Sequence, residues 1–178
     1  MTKCEQTKHF LIDFIFFLLY NFNIEVKMRA VIQRCNSASV TVEDKIIGQI
    51  NKGFVVFLGV CEDDTDWDLE YLVRKIAGLR IFEDENQKMN KSMQDVGGEM
   101  LVVSNFTLYG ETDHGFRPSF VRAMMPIRAK EMYLKFVEMS KAYPYKNIQT
   151  GEFGADMKVD VSNDGPVTII IDTEKVRK

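Results

Sequence analysis

The sequence predicts a mixed α/β domain, rich in strands and carrying two long helices. Three observations predict it. Short β-branched, partly alternating runs recur near both ends, and two stretches place apolar residues at helical spacing. No internal repeat, linker or low-complexity tract divides the chain, whose 178 residues suit one compact domain with a core of its own.

Met28–Cys35 (MRAVIQRC) and Ala38–Glu43 (ASVTVE) read as strands. Ile46–Asn51 follows an Asp44-Lys45 turn as a hairpin partner, and Gly53–Val60 (GFVVFLGV) is apolar enough for a buried strand. Thr65-Asp66-Trp67-Asp68 has the pattern of a capping box, with acids at the positive end of the coming helix. Leu69, Leu72, Val73, Ile76 and Leu79 then form one helical stripe. Glu83–Gly98 is polar and broken at Gly97-Gly98, and Glu99–Asn105 (EMLVVSN) is a second buried strand. Pro126 and Pro144 bracket the other helix, with Ala129, Tyr133, Phe136, Val137 and Ser140 on one side. Met157–Ser162 and Val167–Asp172 alternate, joined by Asn163-Asp164-Gly165-Pro166, which by itself is a hairpin turn.

Residues 1–27 differ in character. Phe10–Phe22 holds five of the 13 phenylalanines, but the apolar run is about 13 residues, short of the ~20 that span a bilayer, and Asp13 interrupts it. Signal and transit peptides want positive, acid-poor starts, which this stretch lacks. Residues 1–27 are therefore expected to be a non-domain extension, residues 28–178 the domain, and no membrane association is expected.

Composition narrows the chemistry. With 23 Lys+Arg against 26 Asp+Glu the net charge is −3, which argues against a broad basic surface gripping a duplex. It leaves room for a pocket that takes one end of a nucleic acid. Cys4, Cys35 and Cys61 show no CxxC spacing and fit a reducing, cytoplasmic setting. His9 and His114, the only two histidines, lie in an apolar leader and a glycine-rich loop. Neither suits a Ser-His-Asp or Cys-His arrangement, and no metal-ligand spacing occurs, so neither metal nor cofactor is expected.

Four segments carry polar chemistry. Ser104-Asn105-Phe106-Thr107-Leu108-Tyr109 leaves a hydrophobic strand, where hydroxyls and amides can be aimed at an oxyanion or simply close a turn. Asn163-Asp164-Gly165-Pro166-Val167-Thr168 is a turn that admits a cis Gly-Pro bond. Gly115-Phe116-Arg117-Pro118-Ser119-Phe120 has a lone arginine for a phosphate or a surface pair. Gln149–Met157 has a Phe153 that stacks on a base or fills core.

These four, in this order after MRAVIQR, closely resemble the D-aminoacyl-tRNA deacylase family from Met28 to about Asp172. The family signatures are a Ser-Gln-Phe-Thr segment and an Asn-x-Gly-Pro-x-Thr segment. The second matches fully; in the first, Asn105 replaces the usual Gln. The resemblance implies a homodimer that hydrolyses the ester between a D-amino acid and the terminal adenosine of tRNA, and removes glycine mischarged on tRNA. It implies a cis Gly165–Pro166 bond whose carbonyls capture the substrate's α-amino group inside the other subunit. Arg34 would hold that motif from the neighbouring subunit. Ser104, Phe106 and Thr107 would be catalytic, Asn105 would lie beside them, and Phe153 and Met157 would meet the adenosine. The nucleophile stays open: Thr107 attacks directly, or it positions groups while the adenosine 2′-hydroxyl assists a water. The scarcity of histidine favours the second.

Overall fold

The structure is a computed structural model describing residues 27–173, so the expected extension lies, except for Lys27, outside the described residues. Its frame is a curled six-stranded sheet. Strand β1 (Arg29–Val42) turns at Glu43-Asp44 into β2 (Lys45–Ile50), and β3 (Gly53–Gly59) follows. Both turn residues have positive φ (47° and 60°), which matches the right-handed twist of a tight hairpin. The turn thus falls one residue before the Asp44-Lys45 position expected.

Along one edge β1 pairs antiparallel first with β3 (Arg29↔Gly59 to Cys35↔Gly53) and then with β2 (Ala38↔Ile50 to Val42↔Lys45). Helix α1 (Asp66–Ala77), a small hairpin of β4 (Phe82–Glu83) and β5 (Met89–Lys91), and the short α2 (Met93–Val96) lead to β6 (Glu99–Ser104). Strand β6 lies parallel to β3, as a crossover of that length allows. A 3₁₀ turn (Phe106–Tyr109) and helix α3 (Pro126–Ser140) precede β7 (Asn147–Thr150), parallel to β6, and the chain closes with β8 (Lys158–Asp172). The sheet curls until β2 meets β7. A Cβ on Gly48 would sit 2.6 Å from the Thr150 carbonyl, so only glycine permits that approach.

Both faces of the central strands are buried, which is why β3 and β6 are nearly unbroken apolar runs. On the outer face Ile32, Phe54, Val56, Leu58, Met100 and Val102 pack against Leu69, Leu72, Val73 and Ile76 of α1 and Phe136 of α3. Inside the curl, Cys35, Val40, Ile50, Val55, Leu101 and Val103 form a second core. Leu69, Leu72 and Ile76 are wholly inaccessible, and truncating one to alanine would cost about 2–5 kcal/mol. At the head of α1 the Asp68 carboxylate accepts from the Thr65 amide (2.9 Å) and hydroxyl (2.8 Å), so the capping-box expectation holds.

Two further expectations are corrected. Met28–Cys35 and Ala38–Glu43 are halves of the single strand β1. Asn163–Pro166 is not a hairpin turn: β8 runs from Lys158 to Asp172 beside β1, with irregular register around Cys35. Because one long partner serves both halves, the Gly-Pro break becomes a bulge rather than a reversal. Finally, β4, β5, α2 and β7 went unpredicted, since each has at most four residues and little apolar pattern.

Candidate active site

Strands β3 and β6 end side by side at Leu58 and Ser104, and the Asn105 amide extends the ladder by donating to the Leu58 carbonyl at 2.8 Å. The chain then tightens into the 3₁₀ turn, capped by Asn105. Its Oδ1 accepts from the Thr107 amide at 3.1 Å and from the Thr107 hydroxyl at 2.5 Å. The far end is anchored in the core, where the Tyr109 hydroxyl lies 3.0 Å from both the Gly59 and Lys27 carbonyls. Burial pushes that phenol far above its ordinary pKa, so it acts as a neutral anchor. Arg29 holds the turn as well, donating to the Leu108 carbonyl at 2.9 Å.

A cleft of about 720 Å³ opens at this turn, between the strand ends, the first turns of α3 and residues 153–157. It gathers six of the nine residues expected at the site: Ser104, Asn105, Phe106, Thr107, Phe153 and Met157. The Gly151 amide bonds the Val102 carbonyl at 2.9 Å, which pins the start of the Phe153–Met157 wall to β6. Phe153 leans on Tyr133 with ring centroids 5.7 Å apart. The Tyr133 hydroxyl donates to the Val102 carbonyl at 2.9 Å, and burial pushes it up to about 12.

Tyr133 and Phe120 are lining residues that sequence reasoning missed as such. Tyr133 was legible only as part of a core-facing helical stripe. A buried tyrosine needs a partner for its hydroxyl, and that need was the available signal. Phe120 packs edge-on against Phe106 at 5.2 Å and was legible only as part of the GFRPSF loop.

This geometry limits the chemistry. The Thr107 hydroxyl gives its hydrogen to a carboxamide oxygen, which is not a base; among the described residues no histidine, lysine or cysteine lines the cleft, and its one carboxylate, Asp156, makes no hydrogen bond to Thr107. Thr107 therefore lacks the activation a nucleophile needs. Its amide is also engaged by Asn105, while no described residue accepts from the Phe106 amide at the first position of the turn. A backbone N–H of this kind can donate to an oxyanion.

Gly165, Pro166 and Arg34 lie elsewhere. The Gly165–Pro166 peptide is cis, and both residues are exposed on β8. Gly165 has φ +118°, and a Cβ there would meet Val167 Cγ2 at 2.8 Å, so no other residue fits without strain. The Asn163 side chain donates to the Arg34 carbonyl at 3.0 Å and the Val167 carbonyl at 3.3 Å. Arg34, only 4% exposed, donates to the Ile81 carbonyl at 2.7 Å and sets its Nε 2.9 Å from the Asp164 carboxylate. That last contact is an ion pair rather than a hydrogen bond, because the Nε hydrogen has no aligned acceptor. The resemblance assigned this arginine's grip to the neighbouring subunit. Within one chain, β1–β8 pairing brings Arg34 beside Asp164, next to that motif.

A family model described as D-Tyr-tRNA(Tyr) deacylase matches residues 31–172. A D-aminoacyl-tRNA deacylase of Clostridium novyi (strain NT) is 53% identical over 148 residues, which cover 83% of this chain and 99% of that one. Its counterpart in Clostridium botulinum (strain 657 / Type Ba4) is 54% identical with the same coverage. Among solved structures, a c-Myc DNA unwinding element binding protein superposes with TM-score 0.76 at 45% identity, over 80% of this chain and 97% of that one. A probable eukaryotic D-amino acid tRNA deacylase shares the fold with TM-score 0.67 at 17% identity, over 82% and 98% of the two chains.

Proposed function

The chain belongs to the D-aminoacyl-tRNA deacylase family, and on that premise we propose an active site built from two copies of it. One copy gives the cleft at the Phe106–Tyr109 turn, and the second inserts its Gly165–Pro166 segment. The enzyme hydrolyses D-aminoacyl-tRNA, a proofreading step that releases free D-amino acid and tRNA.

The supporting observation is the separation within one chain. Gly165 and Pro166 are exposed and outside their own cleft, yet held firmly by Asn163, Asp164 and the buried Arg34. A rigid, outward-facing backbone segment is what a neighbouring cleft would borrow. Its main-chain carbonyls accept from the substrate's α-ammonium, and an L side chain would point into those carbonyls while a D side chain points away. The glycyl ester of tRNA, with no side chain to reject, is hydrolysed as well.

The chemistry proceeds through backbone and substrate groups. A water assisted by the adenosine 2′-hydroxyl adds to the ester carbonyl, whose developing oxyanion accepts from the Phe106 amide. Collapse breaks the bond to the ribose 3′-oxygen, which takes a proton as the carboxylic acid leaves. Ser104 lines the reacting carbonyl's pocket. Asn105 and Thr107 hold the turn in shape, and Phe153 and Met157 face the adenosine. The homodimer works in the cytoplasm, a setting that suits the buried free thiols of Cys35 and Cys61.

Subunit complementation tests the shared site. Gly165→Val spoils the inserted segment, and Thr107→Trp fills the cleft from an exposed position; each variant alone should be nearly inactive on D-tyrosyl-tRNA. After subunit exchange, mixed dimers hold one intact site and activity returns. Persistent inactivity in a mixture shown by mass spectrometry to contain mixed dimers would exclude a site shared between copies.

A further inference from the structure

The Gly115–Phe120 loop takes no part in the mechanism above, yet it is built onto the cleft. At its base Glu111 and Ser119 exchange both backbone hydrogen bonds at 2.9 Å, and Phe120 turns its ring edge-on to Phe106. At its tip Phe116 is fully exposed, and Gly115, at φ +90°, has nothing within 4 Å of where a Cβ would stand. Arg117 makes no ion pair among the described residues, whereas Arg122 is matched by Glu111 (3.6 Å) and Arg128 by Glu62 (2.9 Å). Val121, Met125 and Ile127 continue an exposed apolar rim. Among the described residues Phe116 buries nothing and Arg117 neutralises nothing, so neither serves the fold that these residues form.

We infer that Phe116 and Arg117 form a landing site for the single-stranded nucleotides leading into the terminal adenosine. The phenyl ring stacks on a base and the guanidinium takes a phosphate. The inference rests on the cleft being the deacylase site. It follows from continuity: a substrate whose ester lies at Phe106 is tethered to a polynucleotide that leaves over the adjoining rim, and Phe106, Phe120 and the loop are one connected wall of it. It follows also from charge. A polyanion approaching a chain of net charge −3 needs a cation not already matched by a carboxylate, and Arg117 is such a cation at this rim. An exposed ring and a guanidinium on consecutive residues suit a strand with exposed bases, since every base has a face to stack.

The test compares a long and a minimal substrate, D-tyrosyl-tRNA and D-tyrosyl-adenosine. For Phe116→Ala, the ratio of kcat/KM on the first to that on the second should fall about tenfold relative to the unaltered protein, through KM. For Arg117→Gln, the slope of log KM on D-tyrosyl-tRNA against log salt should drop by about 0.7, the release expected of one single-strand phosphate contact. An unchanged ratio, or an equal loss on both substrates, would overturn the inference. So would a shift in oligomeric state by light scattering, which would give the loop to a contact between copies. If the unaltered protein hydrolyses neither substrate, the reading of the cleft fails first and takes this one with it.

Discussion

Arg29 donates one guanidinium nitrogen to the Leu108 carbonyl at 2.9 Å while the other two grip the Asp172 carboxylate at 2.9 and 2.7 Å. The carbonyl belongs to the turn that presents Phe106 and Thr107, and the carboxylate belongs to the strand that carries Gly165 and Pro166. One side chain thus ties the turn that lines the cleft to the strand that carries Gly165 and Pro166. The guanidinium also lies 5.8 Å from the Tyr109 ring centroid, so the end of the turn is gripped twice.

Arg29→Lys keeps a cation beside Asp172 but cannot span both partners. The lost charge-assisted bond is worth about 1.5–3 kcal/mol, so kcat on D-tyrosyl-tRNA should fall by about tenfold or more with KM little altered. Single-turnover rates and a thermal melt check this. A melting temperature lowered in step with the rate would assign Arg29 to stability alone.

Asn105 and Thr107 should behave unequally. Thr107→Ala removes a hydroxyl that the cap holds but does not activate, and substantial deacylation should remain. Asn105→Ala removes the cap itself, which frees the Thr107 amide and loosens the turn at a cost of about 1 kcal/mol. It should therefore slow hydrolysis more than Thr107→Ala does. Loss of several orders of magnitude in Thr107→Ala at unchanged melting temperature would reinstate a covalent nucleophile.

Asp64 gives the fold a pH dependence of definite sign. It is buried, its Oδ2 accepting from the Cys61 amide at 2.7 Å while Oδ1 has no hydrogen-bond partner among the described residues. Burial pushes its carboxyl from 3.8 up to about 7; neighbouring Asp68 adds to this, and Lys27 and the Cys61 and Met28 amides oppose it. The folded state thus holds a proton that the unfolded state has released between about pH 4 and 7. Stability contributed here falls as pH rises through that window and stays lowered above it. The melting temperature of Asp64→Asn minus that of the unaltered protein should therefore climb from pH 5 to pH 8. A constant difference would contradict the assignment.

The elements that sequence made legible are those whose pattern is set locally. The Leu69–Ile76 stripe and the Pro126-initiated helix announce themselves by spacing and caps, and β3 and β6 by being apolar throughout. Strand β7 (NIQT) has one apolar residue and exists because β6 offers it a parallel partner. The length of β8 likewise depends on β1, which is why Asn163–Pro166 looked like a reversal. The site divides in the same way. Ser104 to Thr107 are contiguous and were found together, whereas Arg29, Tyr109 and Tyr133 act through contacts 79, 50 and 31 residues away along the chain. Such long-range pairs leave no local trace. That Arg34 lies beside Asp164 of its own chain likewise follows only from the β1–β8 register.

In the proposed site a backbone segment rather than a side-chain base selects the substrate's hand. Parallel hydrolysis of D-tyrosyl-tRNA, L-tyrosyl-tRNA and glycyl-tRNA by the purified protein measures it most directly. The D ester and the glycyl ester should be cleaved and the L ester should survive under the same conditions. Cleavage of the D and L esters at equal rates, or no turnover of the D ester, would contradict that selection.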